Sequence, residues 1–137
     1  MKTKLTNELR QELISRAIEA RQWAYAPYSN YMVGAALVTG SGKFYSGANV
    51  ESAAYPTSMC AERVAIFKAV SEGERELVAL AVVTANGGSP CGACRQVMAE
   101  FGLETVVLIA DADGRLIQEA RVRELLPGAF GPGHLGK

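Results

Sequence analysis

Several things are scarce in this 137-residue chain, and each scarcity closes off a class of explanation. Net charge is absent, because 14 basic and 14 acidic side chains cancel. No general pull toward phosphate backbones or anionic membrane surfaces follows, so neither nucleic acid nor a membrane is an expected partner. Long apolar runs are missing as well: none nears the roughly 20 residues that span a bilayer. The opening Met1-Lys2-Thr3-Lys4-Leu5-Thr6-Asn7-Glu8 lacks the apolar core of a secretory leader, and a cytoplasmic location is the expectation. There is one histidine, His134, in a glycine-rich end from Gly131 to Lys137. That end is expected to be a flexible tail, with His134 in solvent and poorly placed to hold a metal. Cysteine is limited to three residues. An odd number is awkward for a disulfide-bonded secreted protein but natural for reduced thiolates on a metal.

What remains is enough for one domain with a real core, taken to span residues 1–137. Leu9, Leu13, Ile14, Ala17 and Ile18 recur at helical spacing and predict an amphipathic helix from about Asn7 to Trp23. Trp23 at its end reads as a core or interface residue. Val33 to Thr39 and Phe44 to Val50 read as strands joined by the hairpin loop Gly40-Ser41-Gly42-Lys43. A helix from Cys60 to about Ser71 leads to Leu77–Val83, an unbroken apolar stretch of the kind buried on both faces in a parallel arrangement. A second crossover through Cys91 to Phe101 delivers the strand Thr105–Ala110. The Asp113-Gly114 turn is too short for another crossover, so a last strand near Leu116–Glu119 should run antiparallel. The pattern predicts an α/β fold, a three-layer α/β/α sandwich on a mixed five-stranded sheet.

The chemistry concentrates in the cysteines. Cys60 stands two residues before Glu62, and Pro90-Cys91-Gly92-Ala93-Cys94 follows about thirty residues later. Three thiols beside an uncommitted carboxylate fit a zinc ion with three protein ligands and one open position. Both segments fall where a loop becomes a helix, so the sulfurs should lie near N–H groups that stabilise thiolate. Cys91 and Cys94, three apart, would share a helix face. On an ideal wheel Glu62 lies about 200° from Cys60, so both can reach one ion only beyond the helix end, toward which helical side chains lean. Bound zinc lowers the pKa of water to about 7. Three thiolates weaken that effect by leaving the site negative, which calls for a nearby cation; Arg63 and Arg95 directly follow the two segments. Asn49 and Glu51, two apart at a strand end, can face the same way, one donating and one accepting.

These words, with Asn49-Val50-Glu51, Cys60-Ala61-Glu62-Arg63 and Pro90-Cys91-Gly92-Ala93-Cys94-Arg95-Gln96, resemble the small homotetrameric zinc-dependent cytidine deaminases. Ala26-Pro27-Tyr28-Ser29, Val33-Gly34-Ala35-Ala36 and Leu125-Leu126-Pro127-Gly128-Ala129-Phe130 extend the resemblance from about Ala20 to Phe130. It implies one zinc per chain on Cys60, Cys91 and Cys94. It also implies attack of zinc-bound hydroxide at C4 of cytidine or 2′-deoxycytidine with Glu62 as proton shuttle, a step of pyrimidine salvage. It further implies Asn49 and Glu51 on the ribose 3′-hydroxyl, Ala61 in the substrate site, and Arg63 as the arginine that supports the sulfurs. Tyr31 stands where relatives usually carry Phe against the pyrimidine, and its hydroxyl needs a partner or water. Phe130 and Tyr55 resemble aromatics that relatives lend to a neighbouring subunit in a homotetramer.

Other readings compete. Cys91-Gly92-Ala93-Cys94 after an apolar strand also resembles a redox dithiol, but that chemistry does not require Cys60. A structural zinc module wants four protein ligands. A tRNA or DNA editor should carry a basic surface, whereas blasticidin-S-type nucleoside antibiotic deaminases share the core pattern and stand as the alternative substrate class. No residue identified in the sequence reads the 2′ position.

Overall fold

In the computed structural model, residues 3–137 are described; Met1 and Lys2, which open the stretch read above as lacking a leader, lie outside them. The chain runs α1 (Asn7–Arg21), β1 (Gly34–Thr39), β2 (Phe44–Ala48), a 3-10 turn (Tyr55–Thr57), α2 (Ala61–Ser71) and β3 (Leu77–Thr84). It continues through α3 (Gly92–Phe101), β4 (Val106–Asp111), β5 (Leu116–Arg121), α4 (Val122–Leu125) and a 3-10 turn (Pro132–Leu135). The expected five strands form one mixed sheet in the order β2-β1-β3-β4-β5. β1 pairs antiparallel with both β2 and β3, β3 pairs parallel with β4, and β5 returns antiparallel on β4. β2 and β3 therefore point the same way with β1 between them, and α2 makes the crossover. The long apolar strand is thus parallel on one side only, a difference from the sequence reading that burial alone could not reveal.

Two apolar layers cover the sheet. On one face Leu13, Ile14 and Ala17 of α1 pack on Ala36, Val38, Ala81 and Val83. The other face seats Ala65, Ile66 and Ala69 of α2, Met98 of α3 and Val122 and Leu125 of α4 against Leu37, Leu80, Val82 and Ile109. The three-layer α/β/α sandwich is therefore present. Its tightest joint is at Gly34, where a Cβ would stand 2.0 Å from the Ala17 carbonyl oxygen. On the opposite face, a Cβ at Gly47 would meet the Val64 side chain at 2.8 Å. No described helix is long and apolar enough to cross a membrane.

Ends of elements shift for identifiable reasons. α1 starts where Thr6 accepts from the Leu9 N–H at 3.1 Å, and it stops at Arg21, two residues before Trp23. Trp23 is 76 % exposed, which removes the core reading for it. β2 leaves the sheet after Ala48, yet the chain stays extended because Val50 bridges both Tyr25 and Met59. The Asp113-Gly114 hairpin forms as expected, with Gly114 at φ 86° and Asp111 accepting from the Asp113 and Arg115 N–H groups. The glycine-rich end contains a 3-10 turn in which exposed His134 stacks on Phe130 and its Nδ1 accepts from the Gly131 N–H.

Candidate active site

The three sulfurs meet. Cys60 is the residue before α2 and Cys91 the residue before α3, both with extended backbone, while Cys94 lies in the first turn of α3. Cys91 thus does not share a helix face with Cys94; its sulfur reaches that of Cys94 from outside the helix. The same placement removes the angular difficulty at Glu62, since Cys60 is outside the helix and no wheel relates the two. Cys60 and Cys91 Sγ are 3.9 Å apart, Cys91 and Cys94 Sγ 3.5 Å, and all three lie within 4.8 Å of one another. A tetrahedral ion with Zn–S bonds of about 2.3 Å separates its ligands by about 3.8 Å, so the spacing fits zinc.

The three thiols are not equivalent: the Cys60 pKa is drawn down to about 5, first by its hydrogen bond with Cys94 and also by Arg63. Cys94 is pushed up by that same contact and by burial. Three thiolates within this distance need a multivalent cation to coexist. Arg63 donates from Nη2 to Cys60 Sγ at 3.4 Å, and its Nε is buried with no hydrogen-bond partner among the described residues. Arg95 does something else: it donates to the Pro90 carbonyl at 2.8 Å, the Leu125 carbonyl at 2.6 Å and Ser89 Oγ at 2.7 Å. It thereby ties the loop before Cys91 to the end of α4.

Glu62, in the first turn of α2, is 4 % exposed, and burial raises its pKa above the ordinary carboxylate range, with the Cys60 charge adding to the rise. It lines a cavity of about 540 Å3 together with Cys60, Cys91 and Arg63. A carboxyl buried beside the sulfurs and facing the cavity is placed for general acid and base work.

The far end of the cavity is built from the extended segment after β2. Val50 is fixed by reciprocal backbone bonds with Met59 at 2.9 and 2.8 Å, and the flanking residues bond Tyr25, so Asn49 and Glu51 both reach the cavity. Asn49 Oδ1 accepts from the Val33 N–H and its Nδ2 donates to the Tyr31 carbonyl, each at 2.9 Å. Glu51 Oε1 accepts from the Tyr28 and Ser29 N–H groups at 3.0 and 3.1 Å, and Oε2 accepts from the Ser29 hydroxyl. The Ser29 hydroxyl, helped by those N–H groups, holds the Glu51 carboxyl below its usual range.

Tyr31 lines the cavity, and its hydroxyl finds a partner in Asn86 Oδ1 at 2.7 Å. Tyr55 lies at the cavity mouth, 69 % exposed and edge-on to Tyr28. Two expected residues stand apart: Ala61 is fully buried and is not on the cavity wall, and Phe130, 55 % exposed, is likewise not on that wall, its carbonyl accepting from Gln96 of α3. Sequence reasoning assigned no part to Ser29 or Asn86. Ser29 was visible inside Ala26-Pro27-Tyr28-Ser29, but nothing in the spacing reveals a bond to a residue 22 positions away.

Residues 7–110 match the family model described as the cytidine and deoxycytidylate deaminase zinc-binding region. A cytidine deaminase of Halalkalibacterium halodurans is 55 % identical over 124 residues, covering 88 % of this chain and 93 % of the relative. One from Sporosarcina psychrophila is 50 % identical, covering 88 % and 90 %. The crystal structure of cytidine deaminase from Burkholderia pseudomallei superposes with a TM-score of 0.84 at 46 % identity, covering 92 % of this chain and all of that one.

Proposed function

This chain belongs to the cytidine deaminase family, and from that membership we propose that it hydrolyses cytidine and 2′-deoxycytidine to uridine and 2′-deoxyuridine, releasing ammonia. The observation that carries this reading is the buried Glu62 carboxyl beside three converging cysteine sulfurs in one cavity. Cys60, Cys91 and Cys94 would hold a zinc ion, which when bound would supply an electrophile able to activate water at neutral pH. Glu62 takes one proton from the attacking water and passes it to N3 of the pyrimidine, then moves the second, from the hydroxyl now on C4, to the departing amine, so that the C4 carbonyl forms as ammonia leaves. Burial keeps its carboxyl able to give the proton back. Arg63 offsets the negative charge of the sulfurs so that the ion keeps its pull on electrons.

At the other end the hydrogen-bond inventory favours a sugar hydroxyl. Asn49 has one N–H and one acceptor position left after its two backbone bonds, and Glu51 keeps a position on Oε2. A hydroxyl that donates to Glu51 and accepts from Asn49 takes the last Glu51 position and the last Asn49 N–H, the pairing proposed for the ribose 3′-hydroxyl. Tyr31 packs against the base. Arg63 is the one Arg or Lys on the described cavity wall and it is bonded to Cys60, so a 5′-phosphate gains no partner there.

Two further parts rest on the family. The chain is proposed to act as a single cytoplasmic domain and to assemble as a homotetramer in which Phe130 and Tyr55 serve a neighbour's cavity. Their exposure, and the absence of Phe130 from the wall of its own cavity, support that role. Ala61 would contribute through its backbone, its side chain being buried.

Absorbance loss with cytidine, 2′-deoxycytidine, CMP, cytosine and blasticidin S, on protein of known zinc content, tests the proposal. Turnover of the two nucleosides alone is the expected result. Turnover of blasticidin S alone would select the antibiotic deaminase instead.

A further inference from the structure

The loop between α1 and β1 is bent at Asn30, a non-glycine residue at φ 58°, whose N–H bonds back to the Ala26 carbonyl at 2.9 Å. A left-handed backbone at such a residue persists where the surroundings fix it, and here the fixing group is Ser29. Its hydroxyl accepts from the Tyr31 N–H at 3.0 Å and donates to Glu51 Oε2. One oxygen thus joins the segment that carries the aromatic wall to the carboxylate at the sugar end. Three of the roughly four acceptor positions of Glu51 are filled by Tyr28 and Ser29. The remaining one sits on the oxygen that Ser29 orients.

We propose that Ser29 is a positioning residue for nucleoside selection: by gripping Glu51 Oε2 it aims the single unfilled acceptor position at the substrate's 3′-hydroxyl. The proposal rests on the reading of Glu51 as the partner of that hydroxyl. Without the Ser29 hydroxyl only the two N–H bonds on Oε1 restrain the carboxylate and Oε2 has two unfilled positions, so part of the ordering must then be supplied by the substrate. Ser29 does that ordering beforehand. It touches neither the reacting carbon nor the sulfurs, so its removal should act on KM and leave kcat in place.

Steady-state kinetics of zinc-replete Ser29→Ala, Ser29→Thr and Glu51→Gln, each with cytidine and with 2′,3′-dideoxycytidine, test this. Ser29→Ala should raise KM for cytidine about tenfold, as loss of a bond to a charged group implies. For the dideoxynucleoside KM should move less than about twofold, kcat should stay within about twofold for both, and Ser29→Thr should restore the cytidine value. An equal rise for both nucleosides, or none for either, overturns the role of Ser29. If Glu51→Gln itself fails to distinguish the two nucleosides, the sugar reading of Glu51 falls and takes the proposal with it. A Glu51→Gln variant that does distinguish them, beside an indifferent Ser29→Ala, rejects Ser29 alone.

Discussion

The two ends of the cavity are built by different means. The cysteine end is assembled at the N-termini of α2 and α3, from two words each shorter than six residues, Cys60-Ala61-Glu62 and Pro90-Cys91-Gly92-Ala93-Cys94. The other end is assembled by pairings across the chain: Val50 with Tyr25 and Met59, Asn49 with Tyr31 and Val33, and Glu51 with Tyr28 and Ser29. At the first end each word needs only its own helix start to place its side chains, and a single long-range packing, α2 beside α3, brings Cys60 within 3.9 Å of Cys91. The second end exists only when the loop after α1, the strand end and the segment before α2 are all in place. Chemistry sits at the locally built end and recognition at the other.

The contrast can be broken or sharpened by substitution, taking the largest expected effect first. Cys94→Ser should leave less than about a tenth of a zinc per chain and no measurable deamination, read by metal analysis and absorbance, since three sulfurs are the whole protein ligand set proposed. Glu62→Ala should lower kcat by about a thousandfold or more while zinc content stays at one per chain, because the carboxylate moves protons and does not hold the ion. At the other end, Glu51→Gln should raise KM for cytidine by about ten- to a hundredfold, with kcat changed much less. Comparable losses in kcat at both ends would erase the division. Arg63→Gln should cost about tenfold in kcat and weaken zinc retention against a chelator, with the thermal unfolding of the protein otherwise preserved.

The smallest effect is on pH. Glu51's folded-state pKa is lowered, chiefly by the Ser29 hydroxyl. Its contribution to stability is present above the ordinary carboxyl value and is lost as pH falls through the folded one. The difference in melting temperature between the zinc-free protein and its Glu51→Gln variant should therefore shrink between about pH 6 and about pH 3. A difference that holds steady over that range would mean the Ser29 contact does not persist in solution.

Legibility in the sequence followed the same divide. The sulfurs, Glu62 and Arg63 could be picked out by spacing and word, and the five strands by apolar runs and turns. Local pattern did not reveal that β3 is antiparallel to β1, because an apolar strand buried on both faces looks alike whichever way its neighbour runs. Nor did it reveal that Cys60 and Cys91 precede their helices, a shift of one residue at each boundary that changes where the sulfur points. The chemistry of Trp23 points to core or interface, and the early end of α1 leaves it exposed. Ser29 and Asn86 carry no local signal, since each bonds a partner distant in sequence.

The most direct test of the account is a zinc titration of metal-free protein, following cytidine absorbance after each addition. The account expects activity to rise in proportion to zinc and to stop at one equivalent per chain, with a chelator reversing it. Activity that is undiminished in metal-free protein, or that requires a second equivalent, would contradict it.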